Sequence, residues 1–341
     1  MTISTRLCAA LLAGATMMQA ASAAEPLASV LSQWDRDEHP DLRSVLVMRH
    51  GAIIAERYYN GETADTLHDI RSAGKSITAL LVGAAIDRAN IAGADTPIQR
   101  YWPASEGTAI GDVTLDNVLT MRSGLDAYDA DAASPGNEDK MDEAADPAAF
   151  ALAVPRQTTP GTKYRYNSVT AYIAGVTVEH ATGMTMENFA RGALFAPLGI
   201  TRWQWERDAA GHTKGQGNLS LRTRDVARIG QMVLGKGVHQ GRRIIGAGWI
   251  DAMLAPRVDI GATDRYADHY GYFWYTKTQP IGAQRIPVQF ASGNGGNKLY
   301  LVPSLEMVVV VTSSAYGKAY GQLRSENILK AILLSTINAI Q

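Results

Sequence analysis

The chain has 341 residues, a formal net charge of −1, 19% charged residues and 46% apolar ones, a composition that supports one large folded core or two modest ones. Near-neutral charge excludes the basic face of a typical nucleic-acid binder and the basic patch of an anionic-membrane anchor. A single cysteine, Cys8, excludes an intramolecular disulfide framework and any paired-cysteine zinc site.

Residues Met1 to Ala23 read as an export leader. Arg6 supplies a positive start, 7–18 is a short apolar run, and Ala21-Ser22-Ala23 fits an A-x-A cleavage site. The run is shorter than the roughly 20 residues that span a bilayer. No later stretch is long and apolar enough to do so, so a secreted or periplasmic product without stable membrane insertion is expected. Cys8 falls inside the leader, which leaves the mature chain without a thiol nucleophile.

Leu27 to Trp34 has helical spacing. Arg43 to Arg49 and Ala52 to Tyr59 alternate as strands around His50-Gly51, which predicts a β-hairpin. Ser76 to Asn90 is predicted helix, with Ile77, Leu80, Leu81, Ala84 and Ala85 at helical spacing. Further helices are predicted at Thr170 to Ala181 and Arg224 to Leu234. Four late runs rich in Val and aromatics are predicted strands: Gly271 to Tyr275, Arg285 to Ala291, Lys298 to Val302 and Glu306 to Thr312. An apolar helix, Arg324 to Ile340, closes the chain. Two early strands and several late ones imply an α/β (α+β) fold. Its antiparallel sheet, from 24–75 and about 256–341, is flanked by N- and C-terminal helices. A mostly helical lobe, about 76–255, is inserted, with a cleft where the lobes meet. The stretch Asp126 to Asp146 carries eight carboxylates against Lys140 alone. It reads as a solvated surface loop or as a lid bordering the cleft, and an acidic border would disfavour polyanionic substrates.

The chemistry starts at Ser72-Ala73-Gly74-Lys75, the one S-x-x-K of the chain. At a helix start, positions i and i+3 share a face, so the hydroxyl and the amine can meet. The helix N-terminus also offers free N–H groups to an oxyanion. A serine needs a base, and a lysine serves as one when burial or a cation lowers its pKa. Alone, the motif also fits an ordinary helix start with an exposed lysine.

A second segment is Pro160-Gly161-Thr162-Lys163-Tyr164-Arg165-Tyr166-Asn167-Ser168, and a third is Ala291-Ser292-Gly293-Asn294-Gly295-Gly296-Asn297 before Lys298 to Pro303. In their order and spacing the three segments resemble the penicillin-recognising serine hydrolases, in particular the branch of class C β-lactamases, related esterases and 6-aminohexanoate-dimer hydrolases. Leu119 to Leu125, Gly217 to Arg228 and Tyr270 to Trp274 extend the resemblance over most of the mature chain. It implies a β-lactamase/transpeptidase-like fold and an acyl-enzyme on Ser72. Lys75 and Tyr166 would handle protons. The backbone N–H groups of Ser72 and Asn294 would form the oxyanion hole. Ser168, Ser292 and Gly293 would contact substrate, and no metal or organic cofactor is required.

Two departures matter. Ala291 stands where the family carries Lys or His, and Ser168 where Asn is usual. Losing a charged hydrogen bond to a substrate carboxylate costs about 1.5–3 kcal/mol. The change favours an ester or amide hydrolase acting on a small molecule over a β-lactamase or D-Ala-D-Ala-type peptidase, unless Arg285 or Lys298 compensates from a nearby strand. A non-turnover penicillin-binding or sensor protein is the reading outside enzymes. No G-x-S-x-G of an α/β-hydrolase occurs, and the seven histidines are dispersed without an H-E-x-x-H.

Overall fold

A computed structural model describes residues 27–340, so the leader lies outside the described residues. A first helix, α1 (27–32), precedes strands β1 (Leu42–Arg49) and β2 (Ala52–Tyr58). Their hairpin turns on His50 and Gly51, both at positive φ (49° and 78°), the geometry of a two-residue turn that matches strand twist. The other strands of this sheet come late: β3 (Val258–Asp259), β4 (His269–Tyr270), β5 (Tyr275–Ile281), β6 (Gln284–Gly293), β7 (Asn297–Val302) and β8 (Met307–Ser313). Among the described residues they form one eight-stranded antiparallel sheet in the order β2-β1-β8-β7-β6-β5-β4-β3. Every residue of β8 is buried, and β1 is nearly so. Both faces of the sheet centre are covered, which explains the unbroken Val runs.

The principal helices are α2 (Gly74–Asp87), α3 (Glu138–Asp142), α4 (Ser168–Thr182), α5 (Thr223–Leu234), α6 (Ala247–Leu254) and α7 (Ala319–Asn338). From Gly74 to Ala85, α2 is buried on every side, as a helix sandwiched between sheet and helical lobe must be. Small residues let its neighbours close in. Trp249 of α6 lies over Gly83 and donates from Nε1 to Ala79 O at 3.0 Å. Gly230 brings α5 onto Leu299 and Val308 of the sheet. Buried Ser44 shares hydroxyl hydrogen bonds of 2.6 Å with Thr223 and Thr312, tying the start of α5 to β1 and β8.

One predicted strand is displaced. Residues 271–274 form a turn with Phe273 at φ 56°, and the strand begins at Tyr275. The aromatic run scored as strand, but its rings serve as buried anchors: Trp274 is wholly buried and Phe273 N donates to Leu119 O at 3.0 Å. The strand that does form, Tyr275 to Ile281, buries polar Lys277 and Gln279 on its inward face, which hid its alternation. The last helix starts five residues earlier than predicted, at Ala319.

Replacing Gly83 by Ala places a Cβ 2.0 Å from the Trp249 ring. The expected cost is about 1–3 kcal/mol from overpacking, read as a lower denaturant midpoint with an unchanged m-value.

Candidate active site

A cleft of about 430 Å³ opens between the sheet edge and the helical lobe. Ser72 sits at its base in a short 3-10 turn, Arg71–Ala73, that runs directly into α2. Its N–H thus belongs to the first turn, where amides lack intrahelical acceptors. Arg71, just before it, holds φ 53° and is pinned by Asp69, which accepts from Arg71 N at 2.8 Å and pairs with its guanidinium at 3.1 Å.

Lys75 is 1% exposed, and its Nζ donates to three oxygens from three parts of the chain. These are Ser72 Oγ at 3.0 Å, Ser168 Oγ at 3.0 Å and the Gln216 carbonyl at 2.8 Å. Ser168 donates its own hydrogen bond to Asp129 Oδ2 at 2.9 Å, so toward Lys75 it is an acceptor. Asn167 caps α4 by accepting from Thr170 N at 2.7 Å, and this cap seats Ser168 in the first turn facing the lysine.

The charge on Lys75 differs from the expectation of a lysine with a lowered pKa. Burial does pull it down, but Tyr166, Glu138 and Asp129 together outweigh burial and hold the ammonium above the usual lysine range. Three donated hydrogen bonds match an ammonium with its three N–H groups. The Asp129 carboxyl is raised as well: burial, with Glu138, outweighs the pull of Lys75 and Ser168.

Tyr166 lines the cleft, its ring centroid 5.2 Å from Lys75 Nζ. Tyr164 instead packs edge-on against Tyr270 at 5.3 Å, in an aromatic row with Tyr275 and Phe290. Of the two tyrosines, Tyr166 is thus the one that faces the cleft.

Ser292, Gly293 and Asn294 form the opposite wall. Strand β5 pairs with β6 only as far as Tyr275 opposite Phe290, so beyond that point β6 offers an open edge to the cleft. Gly293 presses on the serine turn: a Cβ there would lie 2.1 Å from Ile70 O and 3.2 Å from Ala73 N. Gly217 and Gly74 meet beside Ser72 in the same way. Asn294 follows at once, its Oδ1 held by Gly317 N at 2.9 Å.

Ala291 is buried in an apolar layer with Ile70, Ile77 and Leu299. Of the two candidate compensating cations, Arg285 is exposed near the far end of β6, whereas Lys298 donates to Ser292 Oγ at 2.8 Å. The acidic stretch borders the cleft through Asp129, Glu138, Asp139 and Asp142. Sequence reasoning marked this run but singled out no residue in it, and it missed Gln216, whose contribution is a backbone carbonyl. Among the described residues no group of three or more His, Cys, Asp or Glu is arranged to hold a metal.

The chain matches the Beta-lactamase family over residues 36–333. It belongs to that family. It is 27% identical over 288 residues to a 6-aminohexanoate-dimer hydrolase of Paenarthrobacter ureafaciens, covering 79% of this chain and 71% of the relative. In fold it is similar to a family VIII carboxylesterase, with TM-score 0.72, 16% identity and 91% and 97% of the two chains covered. It is also similar to the D-amino acid amidase of Ochrobactrum anthropi SV3, with TM-score 0.70, 15% identity and 93% and 99% covered. Fold and family are those expected from the three sequence segments. The chain is a serine hydrolase of this family.

Gly293→Ala should lower kcat/KM on the order of 10²-fold, because small misplacements of reacting groups carry penalties of that size. Steady-state kinetics beside an unchanged far-UV circular dichroism spectrum checks it.

Proposed function

We propose that this protein is an exported serine hydrolase that cleaves a carboxylic ester or amide of a small molecule through an acyl-enzyme on Ser72. The observation that carries the reading is the seat of Lys75, whose Nζ lies 3.0 Å from Ser72 Oγ at the base of an open cleft beside Tyr166. Export rests on the leader-like start of the chain.

In this mechanism the Tyr166 oxygen enters the step without its proton, and takes the proton of Ser72 as Oγ attacks the carbonyl carbon. The Lys75 ammonium stays in place and balances the negative charge carried by the attacking group. The N–H groups of Ser72 and Asn294 hold the tetrahedral oxyanion, where one such donor is worth about 10²–10³ in rate. Tyr166 returns the proton to the leaving alcohol or amine, and the acyl-enzyme forms. Water then adds to the ester carbonyl by the same proton route, and Ser72 is released with its proton restored. No step calls for a metal or organic cofactor.

The acidic wall of Asp129, Glu138, Asp139 and Asp142 favours neutral or amine-bearing substrates on the helical side. The absence of a cation at Ala291 sets this cleft apart from a β-lactamase's. The name of the Paenarthrobacter ureafaciens relative makes 6-aminohexanoate dimer a substrate to test.

Hydrolysis of a p-nitrophenyl short-chain ester, 6-aminohexanoate dimer and a chromogenic cephalosporin, each with Ser72→Ala as control, tests the reading. Ester or amide turnover that disappears in Ser72→Ala is expected, with little cephalosporin cleavage. Covalent labelling by an acyl-phosphonate that persists in Ser72→Ala would sink the assignment. Serine-dependent labelling with no turnover would mean a sensor.

A further inference from the structure

Lys298 is 3% exposed and pairs directly across β7 and β6 with Ser292, so both side chains stand on one face of the sheet. Among the described residues its ammonium has no carboxylate within ion-pair distance, and its hydrogen bond goes to Ser292 Oγ at 2.8 Å. The nearby carboxylate, Glu326 of α7, is already engaged by Lys277 and by Tyr300 OH at 2.8 Å. The Phe290 ring, 4.8 Å from Nζ, offers partial compensation. Burying an unpaired cation costs several kcal/mol, yet here one stands directly behind a residue of the cleft wall.

The hydrogen-bond roles in this pair are set by chemistry. An ammonium only donates, so Ser292 Oγ accepts from Lys298 and its own O–H is left to donate. Ser292 is partly exposed and lines the cleft. A hydroxyl that accepts from a cation is a stronger donor in turn. The acceptor it suits is an anionic oxygen.

We propose that Lys298 is a positioning residue for specificity: from the strand behind the cleft edge it directs and polarises the Ser292 hydroxyl toward a carboxylate on the substrate, the positive charge that Ala291 does not supply. The inference rests on the hydrolase reading and deepens it. The cleft then has two electrical sides, carboxylates on the helical wall and a relayed positive charge on the sheet wall. Substrates bearing a carboxylate on the sheet side are preferred over uncharged ones of the same length.

A pH signature accompanies the geometry. The groups facing Lys298 are Glu326 from α7, Lys277 from β5, Asp264 and the Tyr266 ring from the segment before β4, and Phe290 and Ser292 from β6. Burial is the largest influence and draws Lys298 down to about 8. Its ammonium is present at pH 7 and is lost as pH rises through that value.

The test compares kcat/KM for mono-p-nitrophenyl glutarate and p-nitrophenyl butyrate, whose acyl chains are similar in length and differ in the carboxylate. The ratio cancels titration of the shared catalytic groups. In Lys298→Met the ratio is expected to fall roughly tenfold, the loss expected of a charge-assisted hydrogen bond, mainly through KM of the glutarate ester. Ser292→Ala is expected to give a similar fall, and adding Lys298→Met to it no further one. In the native enzyme the ratio should drop between pH 7 and pH 9, and in Lys298→Met it should stay flat. Should Lys298→Met not fold, Lys298→Gln and Ser292→Ala carry the same comparison.

Equal losses for both esters, an unchanged ratio, or additive effects in the double variant would overturn the inference and leave the hydrolase reading standing. An unchanged ratio would place any carboxylate preference on Arg71, the other cation of the cleft. No serine-dependent turnover of either ester by the native enzyme would overturn both.

Discussion

The site depends on the burial of one ammonium. Lys75 is removed from water at the base of the cleft, and a buried cation is tolerable only when its donors are all met. The three acceptors come from the serine turn, the first turn of α4 and the loop before α5. Satisfying that charge therefore holds three distant segments at fixed separations, and Ser72, the proposed nucleophile, sits on one of them. Ser168 takes part because its O–H donates to Asp129, which leaves a lone pair of its oxygen to accept from Lys75. Tyr166, Glu138 and Asp129 raise Lys75 against its burial, and two of these lie in the acidic stretch that borders the cleft.

Glycine supplies the second constraint. The sheet edge can approach the serine turn only because Gly293 has no side chain to meet Ile70 O, and the loop carrying Gln216 closes over Ser72 only because Gly217 and Gly74 are bare. Backbone against backbone is the closest packing a chain permits, and it brings Asn294 and Ser292 to the cleft beside Ser72. The open stretch of β6 past Phe290 has the same origin: the turn at 271–274 ends pairing with β5 where the cleft begins.

Charge across the cleft is uneven by construction. Four carboxylates line the helical wall, while Arg71 stands on the serine turn and Lys298 lies behind Ser292 of the sheet wall. Ala291 joins the apolar layer beneath, and a cation reaches the same edge from the neighbouring strand. Ala291 is opposed by Leu299 and shares its apolar face, whereas Lys298 is opposed by Ser292 on the other face, so the cation works through the Ser292 hydroxyl and does not refill the Ala291 position.

The parts of this protein legible in its sequence are those governed by short spacing. The Ser72–Lys75 pair follows from i and i+3 on one helix turn, the hairpin from His50-Gly51, and the buried strands from Val runs. Tyr166 came from the resemblance and from no spacing rule. Tertiary structure alone decided the protonation of Lys75, the acceptor role of Gln216, the partnership of Ser168 with Asp129, and which of Arg285 and Lys298 stands behind the cleft. It also decided that the Tyr272 to Trp274 aromatics are anchors in a turn and no strand. The physical reason is common to all of these. Propensity and periodicity act between neighbours in the chain, whereas the charge state of a buried group and the partner of a hydrogen bond are set by residues that only folding brings within a few ångströms.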